Sequence, residues 1–183
     1  DKRQTMIIFL VGYMGCGKSS IGRALASRLK MRFLDMDPLI EQHCGKSIRE
    51  IFASEGEEGF RLHEKEALAE NVAEQQECIV ATGGGAPCFY DNMEVMNRAG
   101  VTVYFQMSPE KLAGRLEHGK AKRPLLQDKS QEELIDFIRA NVEKRETYYL
   151  QAKLIIQCDG VSDEYIADHI VRYLQHISNS KNL

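Results

Sequence analysis

Gly12-Tyr13-Met14-Gly15-Cys16-Gly17-Lys18-Ser19 decides how this chain folds. An apolar run, Ile7-Ile8-Phe9-Leu10-Val11, precedes it, and a helical pattern, Ile21-Gly22-Arg23-Ala24-Leu25-Ala26, follows. Strand, then G-x-x-x-x-G-K-S, then helix is the setting of a phosphate-binding loop. The glycines let the backbone fold tightly and aim successive N–H groups inward. The helix behind them adds the positive end of its dipole. Lys18 brings a mobile charge to the outer phosphates, and Ser19 offers a hydroxyl oxygen to Mg²⁺. The expected nucleotide contacts in the loop are Gly15, Cys16, Gly17, Lys18, Ser19 and Ser20, with the Cys16 side chain as filler at a variable position.

Composition sets the outer limits. A length of 183 residues fits one domain, 1–183, with a proper core. A net charge of −3 offers no bulk attraction to nucleic acid or to a membrane surface. No apolar stretch reaches the roughly 18 residues of a membrane helix. The polar start, Asp1 to Thr5, does not read as a signal peptide. The five cysteines are odd in number and lack C-x-x-C spacing, which suits reduced thiols in the cytoplasm better than disulfides or zinc. Without a heptad or a long exposed apolar strand, a monomer is expected.

Outward from the loop, strands and helices alternate. Met6 to Val11 reads as a strand covered on both faces. A helix is expected from about Gly17 to Lys30, then a short strand, Arg32-Phe33-Leu34-Asp35, ending on an acid. Asp37 to Ala73 reads as a helical insert. Pro38 suits a first helical turn, and Ser47-Ile48-Arg49-Glu50 has capping-box spacing. Gly56 and Gly59 are expected to punctuate a turn before a longer helix to Ala73. Cys78 to Ala81 is a third strand running into Thr82-Gly83-Gly84-Gly85. Further helices are expected at Asp91–Arg98, from Ser108-Pro109-Glu110 through Arg115, at Ser130–Tyr149 and at Ser162–His176. Further strands are expected at Val101–Phe105 and Leu154–Ile156. Between them, about 117–129 lacks periodicity and is long enough for a lid. The pattern predicts an α/β P-loop NTPase three-layer fold: a five-stranded parallel sheet with two excursions, a helical insert at about 37–73 and a mobile lid.

Five clusters fall at strand ends or on the two excursions: Asp35 with Asp37, Phe60 to Glu64, Gly83 to Gly85, Arg123-Pro124-Leu125-Leu126, and Lys144-Arg145. In open α/β sheets that edge is where ligands bind. Together they resemble the shikimate kinase family. The GKSS-I-G-R-x-L-A start, the F-x-D-x-D-x-x-I-E run to Glu41, G-x-S-I-x-x-I-F from Gly45, F-R-x-x-E, A-T-G-G-G and R-P-L-L all occur in order. The likeness covers about Ile7 to Gly160 and is far more specific than the loop alone.

The resemblance implies transfer of the ATP γ-phosphoryl to the 3-hydroxyl of shikimate, with Mg²⁺, on the route to aromatic amino acids. It implies that the helical insert is substrate-binding. It implies that Asp37 bonds the attacking hydroxyl and that Asp35 lies near Mg²⁺ with Ser19. It implies that Arg61 and Arg145 grip the shikimate carboxylate and that the Gly83–Gly85 backbone closes over the ring. It implies that Arg123 reaches the phosphates from the lid, with Lys18 and Asp37 as its catalytic companions, and that Arg115 lies over adenine. Ala81 stands where many P-loop enzymes carry a metal-binding acid, and in this family Asp35 takes part of that role.

Elementary chemistry agrees. Phosphoryl transfer needs positioning and charge stabilisation more than covalent chemistry. Paired arginines hold a carboxylate bidentately, which lysine does less well. Glu64, one turn after Arg61, can hold its guanidinium in place. Blander readings exist for each part alone: Asp37 as a helix cap, Arg61 and Glu64 as a solvated pair, Arg145 on the surface, Tyr148-Tyr149 as packing. Two rival functions are a gluconate- or nucleotide-type small-molecule kinase and a non-catalytic nucleotide-binding protein. A guanine-nucleotide switch would need N-K-x-D, which is absent.

Overall fold

Ile7–Val11 forms strand β1, and each of its residues is buried. The chain is described here from a computed structural model covering residues 5–118 and 126–181. Four more strands follow: β2 (Arg32–Asp35), β3 (Cys78–Ala81), β4 (Val101–Gln106) and β5 (Leu154–Gln157). All pair in parallel, in the order β2-β3-β1-β4-β5. β1 is central, which is why it reads as an unbroken apolar run. Ile8 and Leu10 enter one core, while Ile7, Phe9 and Val11 enter the other. Strand side chains alternate between faces, so covering both faces removes the polar half of the pattern.

Among the described residues, seven α-helices connect and cover the strands: α1 (Lys18–Leu29), α2 (Met36–Cys44), α3 (Ile48–Glu74), α4 (Asn92–Ala99), α5 (Pro109–Glu117), α6 (Gln131–Tyr149) and α7 (Asp163–Ser180). Four of them start on a serine. The side chains of Ser47, Ser108, Ser130 and Ser162 accept from the backbone N–H of Glu50, Lys111, Glu133 and Tyr165. Each satisfies one of the N–H groups that a helix start leaves without an intrahelical partner. α1 and α7 meet on one face of the sheet; α2, α3 and α4 lie toward the other. The layers are therefore helix, sheet, helix.

The expected strands and helices are all present, with two corrections. The insert has one break where two glycines were read as punctuation. Gly56 takes φ 71°, ψ −175° and kinks α3, while Gly59 stays inside the helix. Glycine permits a break and does not compel one. The last helix also runs on to Ser180, past His176.

α6 is the element whose course matters most. Leu134, Ile138 and Val142 pack in the core shared with α5 and α7, yet Tyr149 packs in the opposite core with β4, α3 and α4. The helix thus passes from one face of the sheet to the other, and Arg145 falls between the two anchors.

Candidate active site

The loop between β1 and α1 forms one wall of a cleft of about 450 Å³. Gly17 caps α1 at φ 102°, a left-handed conformation that suits glycine, and so turns the loop into the helix. Gly15, Gly17, Lys18, Ser19 and Ser20 border the cleft. The Lys18 ammonium donates to the carbonyl of Gly12 and, at 3.2 Å, to that of Tyr13. Cys16 does not border the cleft, although its sulfur lies 3.8 Å from the Lys18 ammonium. Its thiol is buried, and its N–H donates to the Tyr13 carbonyl at 3.2 Å. Arg115, in the last turn of α5, leans over the loop: a Cβ on Gly17 would stand 3.2 Å from its Nη2.

Across the cleft, β2 ends on Asp35, whose side chain caps α2 by accepting from the Asp37 N–H. The cap is therefore Asp35, which leaves the Asp37 carboxylate for other work. Ser19 Oγ donates to Asp35 Oδ2 at 3.0 Å. Two hard oxygens so close, beside a phosphate loop, fit Mg²⁺, which takes few protein ligands and keeps waters and phosphate oxygens. Burial pushes the Asp37 carboxyl above the ordinary 3.8; Asp35 adds to the rise, while Lys18 and Arg61 oppose it.

The third side comes from α3 and from the turn after β3. Arg61 is only 9% exposed, and Glu64 is 1% exposed. They pair at 3.0 Å, and Glu57 lies 3.5 Å from Arg61 Nε. Phe89 stacks on the guanidinium, 4.2 Å from Cζ to ring centre. Burial raises the Glu64 carboxyl, against the pull of Arg61. Thr82 ties the start of the turn to β1, donating from N–H and Oγ to the Leu10 carbonyl. Gly83 faces both acids: a Cβ there would lie 2.7 Å from Glu64 Oε2 and 3.3 Å from Asp37 Oδ1. A Cβ on Gly84 would lie 3.4 Å from Arg145 Nη1, and one on Gly85 2.5 Å from Arg61 Nη2. The turn is where Asp37, Arg61 and Arg145 meet.

Asp37 Oδ1, Arg61 Nε and Glu64 Oε2 are buried without a hydrogen-bond partner. Arg61 Nε still has the Glu57 carboxylate at 3.5 Å, while the two carboxylate oxygens are buried polar atoms of the kind that is normally paired, and a bound ligand could meet them.

A family model described as "Shikimate kinase" matches residues 14–175. The chain belongs to the shikimate kinase family. A shikimate kinase of Bacteroides thetaiotaomicron is 46% identical over 170 residues, covering 93% of this chain and 97% of the relative. The crystal structure of shikimate kinase from the same organism superposes with a TM-score of 0.84 at 45% identity, covering 95% of this chain and 98% of that one. Shikimate kinase from Acinetobacter baumannii, solved in complex with shikimate, gives 0.82 at 34% identity, with 96% and 94% covered.

Of the site residues expected from sequence, Lys18, Ser19, Asp35, Asp37, Arg61, the three glycines, Arg115 and Arg145 surround this cleft and turn. Arg123 and most of the expected lid, residues 119–125, lie outside the described residues. Three contributors escaped the sequence reading. Phe89 stacks on Arg61, Arg23 borders the cleft, and the Tyr149 hydroxyl donates to the Gly84 carbonyl. Two of them left a trace in sequence: Arg23 stands in the GKSS-I-G-R start, and Tyr149 lies one helical turn after Arg145.

Proposed function

We propose that this protein transfers the γ-phosphoryl group of ATP to the 3-hydroxyl of shikimate, giving shikimate 3-phosphate and ADP on the route to aromatic amino acids. One observation carries the reading. An acid at a strand end, Asp37, and two arginines, Arg61 and Arg145, meet at a glycine turn packed against the phosphate loop. A base for a hydroxyl and cations for a carboxylate suit a polyhydroxylated acid. A nucleotide acceptor would need a base pocket as well.

In this reading the loop N–H groups and Lys18 hold the β- and γ-phosphates. The acceptor oxygen attacks the γ-phosphorus as the bond to the ADP oxygen breaks, and the hydroxyl proton passes to Asp37. A carboxyl raised by burial is a stronger base when ionised, which suits a proton that leaves late. Lys18 meets the charge that builds on the transferring group. Arg61, fixed by Glu64 and Phe89, and Arg145 orient the ring through its carboxylate. Ser19 and Asp35 would hold Mg²⁺, which neutralises phosphate charge when bound. Arg123 and Arg115 are assigned to the phosphates and the adenine on the resemblance alone. A monomer and a cytoplasmic location are part of the reading, and the five free cysteines support the second.

The test is ADP release with ATP and Mg²⁺, with shikimate, gluconate, a nucleoside monophosphate or no acceptor. Release only with shikimate is expected. Equal release with another acceptor, or none with shikimate, refutes the reading.

A further inference from the structure

Tyr149 ends α6 with its whole side chain enclosed, 0% exposed. Its ring lies on Tyr104 of β4, centroids 5.0 Å apart. A phenol in an apolar core needs partners for its oxygen. This one has two polar neighbours, and both belong to the acceptor side of the site. The O–H donates to the Gly84 carbonyl at 2.5 Å. The Arg145 guanidinium, one helical turn back, is a cationic neighbour of the same oxygen and holds the phenol's pKa down against the rise that burial causes. A hydroxyl can donate and accept at once, so beside Arg145 and Gly84 it is suited to join the two, which a phenyl ring is not.

Gly84 extends the chain of contacts. A Cβ there would stand 3.4 Å from Arg145 Nη1 and 3.3 Å from the Met14 nitrogen. The peptide held by Tyr149 thus lies close to both the arginine and the phosphate loop. The course of α6 makes this possible: the helix crosses the sheet, so a residue rooted in the far core reaches back to the turn.

From this geometry we infer that Tyr149 is a positioning residue for acceptor recognition. Its buried hydroxyl holds Arg145 and the Gly84 peptide at a set separation, so the acceptor carboxylate meets an arginine already in place. The inference rests on the reading of the site as a shikimate kinase. Its physical basis is preorganisation: an arginine left free would have to be ordered at each binding event, at the expense of affinity. The phosphoryl chemistry lies elsewhere in the cleft, so the effect falls on the acceptor and not on turnover.

The test is Tyr149→Phe, which keeps the ring and its packing on Tyr104. The acceptor KM should rise about tenfold, the scale of one or two lost hydrogen bonds, with kcat and the ATP KM nearly unchanged. A shikimate analogue with the carboxylate reduced to a hydroxymethyl group should lose little further in the variant, because Arg145 no longer matters to it. An unchanged acceptor KM overturns the inference. So does equal damage to shikimate and the analogue, or a variant that only melts earlier or fails to fold, since each makes Tyr149 a packing residue. Wild-type turnover in the same assay tests the activity itself. A wild type inactive on shikimate refutes the function, whereas an active one with an indifferent variant refutes only the role of Tyr149.

Discussion

Alanine at position 85 isolates a steric effect from a backbone one. Gly85 has φ −89° and ψ −13°, which any residue adopts, so Gly85→Ala introduces no strain of its own. What it introduces is a methyl group 2.5 Å from Arg61 Nη2, 2.7 Å from Nη1 and 2.8 Å from Cζ. Carbon and nitrogen in contact sit about 3.5 Å apart, so the guanidinium has to move by roughly 1 Å. A surface arginine would swing away at little cost. Arg61 is enclosed by Glu64, Glu57 and Phe89 and cannot. The substitution therefore breaks the Arg61–Glu64 pair or displaces the arginine from the acceptor. A hydrogen bond to a charged group is worth about 1.5–3 kcal/mol, so the acceptor KM should rise about 10- to 150-fold. Steady-state rates with shikimate varied at saturating ATP measure it. Melting should fall by a few degrees at most if the arginine retains one carboxylate partner, since about 1 kcal/mol shifts a domain of this size by roughly 2–4 °C. An acceptor KM within about twofold of wild type would show that Arg61 does not bind the acceptor from this position, and the carboxylate assignment would lose its support. Equal rises in the ATP and acceptor KM would instead point to collapse of the turn.

Lys18→Met should lower kcat by at least about 10²-fold while far-UV dichroism and melting stay close to wild type, because the ammonium serves the transition state and not the core; near-normal kcat would refute its role. Asp37→Asn keeps the shape and removes the base, so kcat should fall about 10²–10⁴-fold with nucleotide affinity retained. The same variant has a pH signature in stability. A folded-state carboxyl raised above 3.8 favours folding most at pH below that value, and its contribution is lost as pH rises through the folded pKa. In chelator-treated protein, Asp37→Asn should therefore gain on wild type from about pH 4 upward; urea melts whose difference stays flat with pH would refute the burial of Asp37.

The sequence by itself determined the phosphate loop, the alternation of strands and helices, and most helix starts. These depend on neighbours a few residues apart: glycine where the backbone turns left-handed, serine where an N–H lacks a partner, apolar runs where a strand is covered twice. It also placed Asp35, Asp37 and the three glycines at strand ends, where an open sheet binds ligands. Spacing suggested that Glu64 holds the Arg61 guanidinium, as it does, but not how deeply the pair is buried. The i, i+3 pair that is a solvated ornament on most helices is here 9% and 1% exposed, because α3 is pressed against the turn after β3. Nor could periodicity distinguish Gly56, which kinks α3, from Gly59, which does not. The role of Tyr149 was hidden for the same reason. Its ring packs as an aromatic pair would suggest, but the partners of its hydroxyl are set by Gly84, 65 residues away, and by a helix that passes from one core to the other. Local sequence chooses each element. Only packing over long separations decides which polar tips meet and which of them are shut away from water.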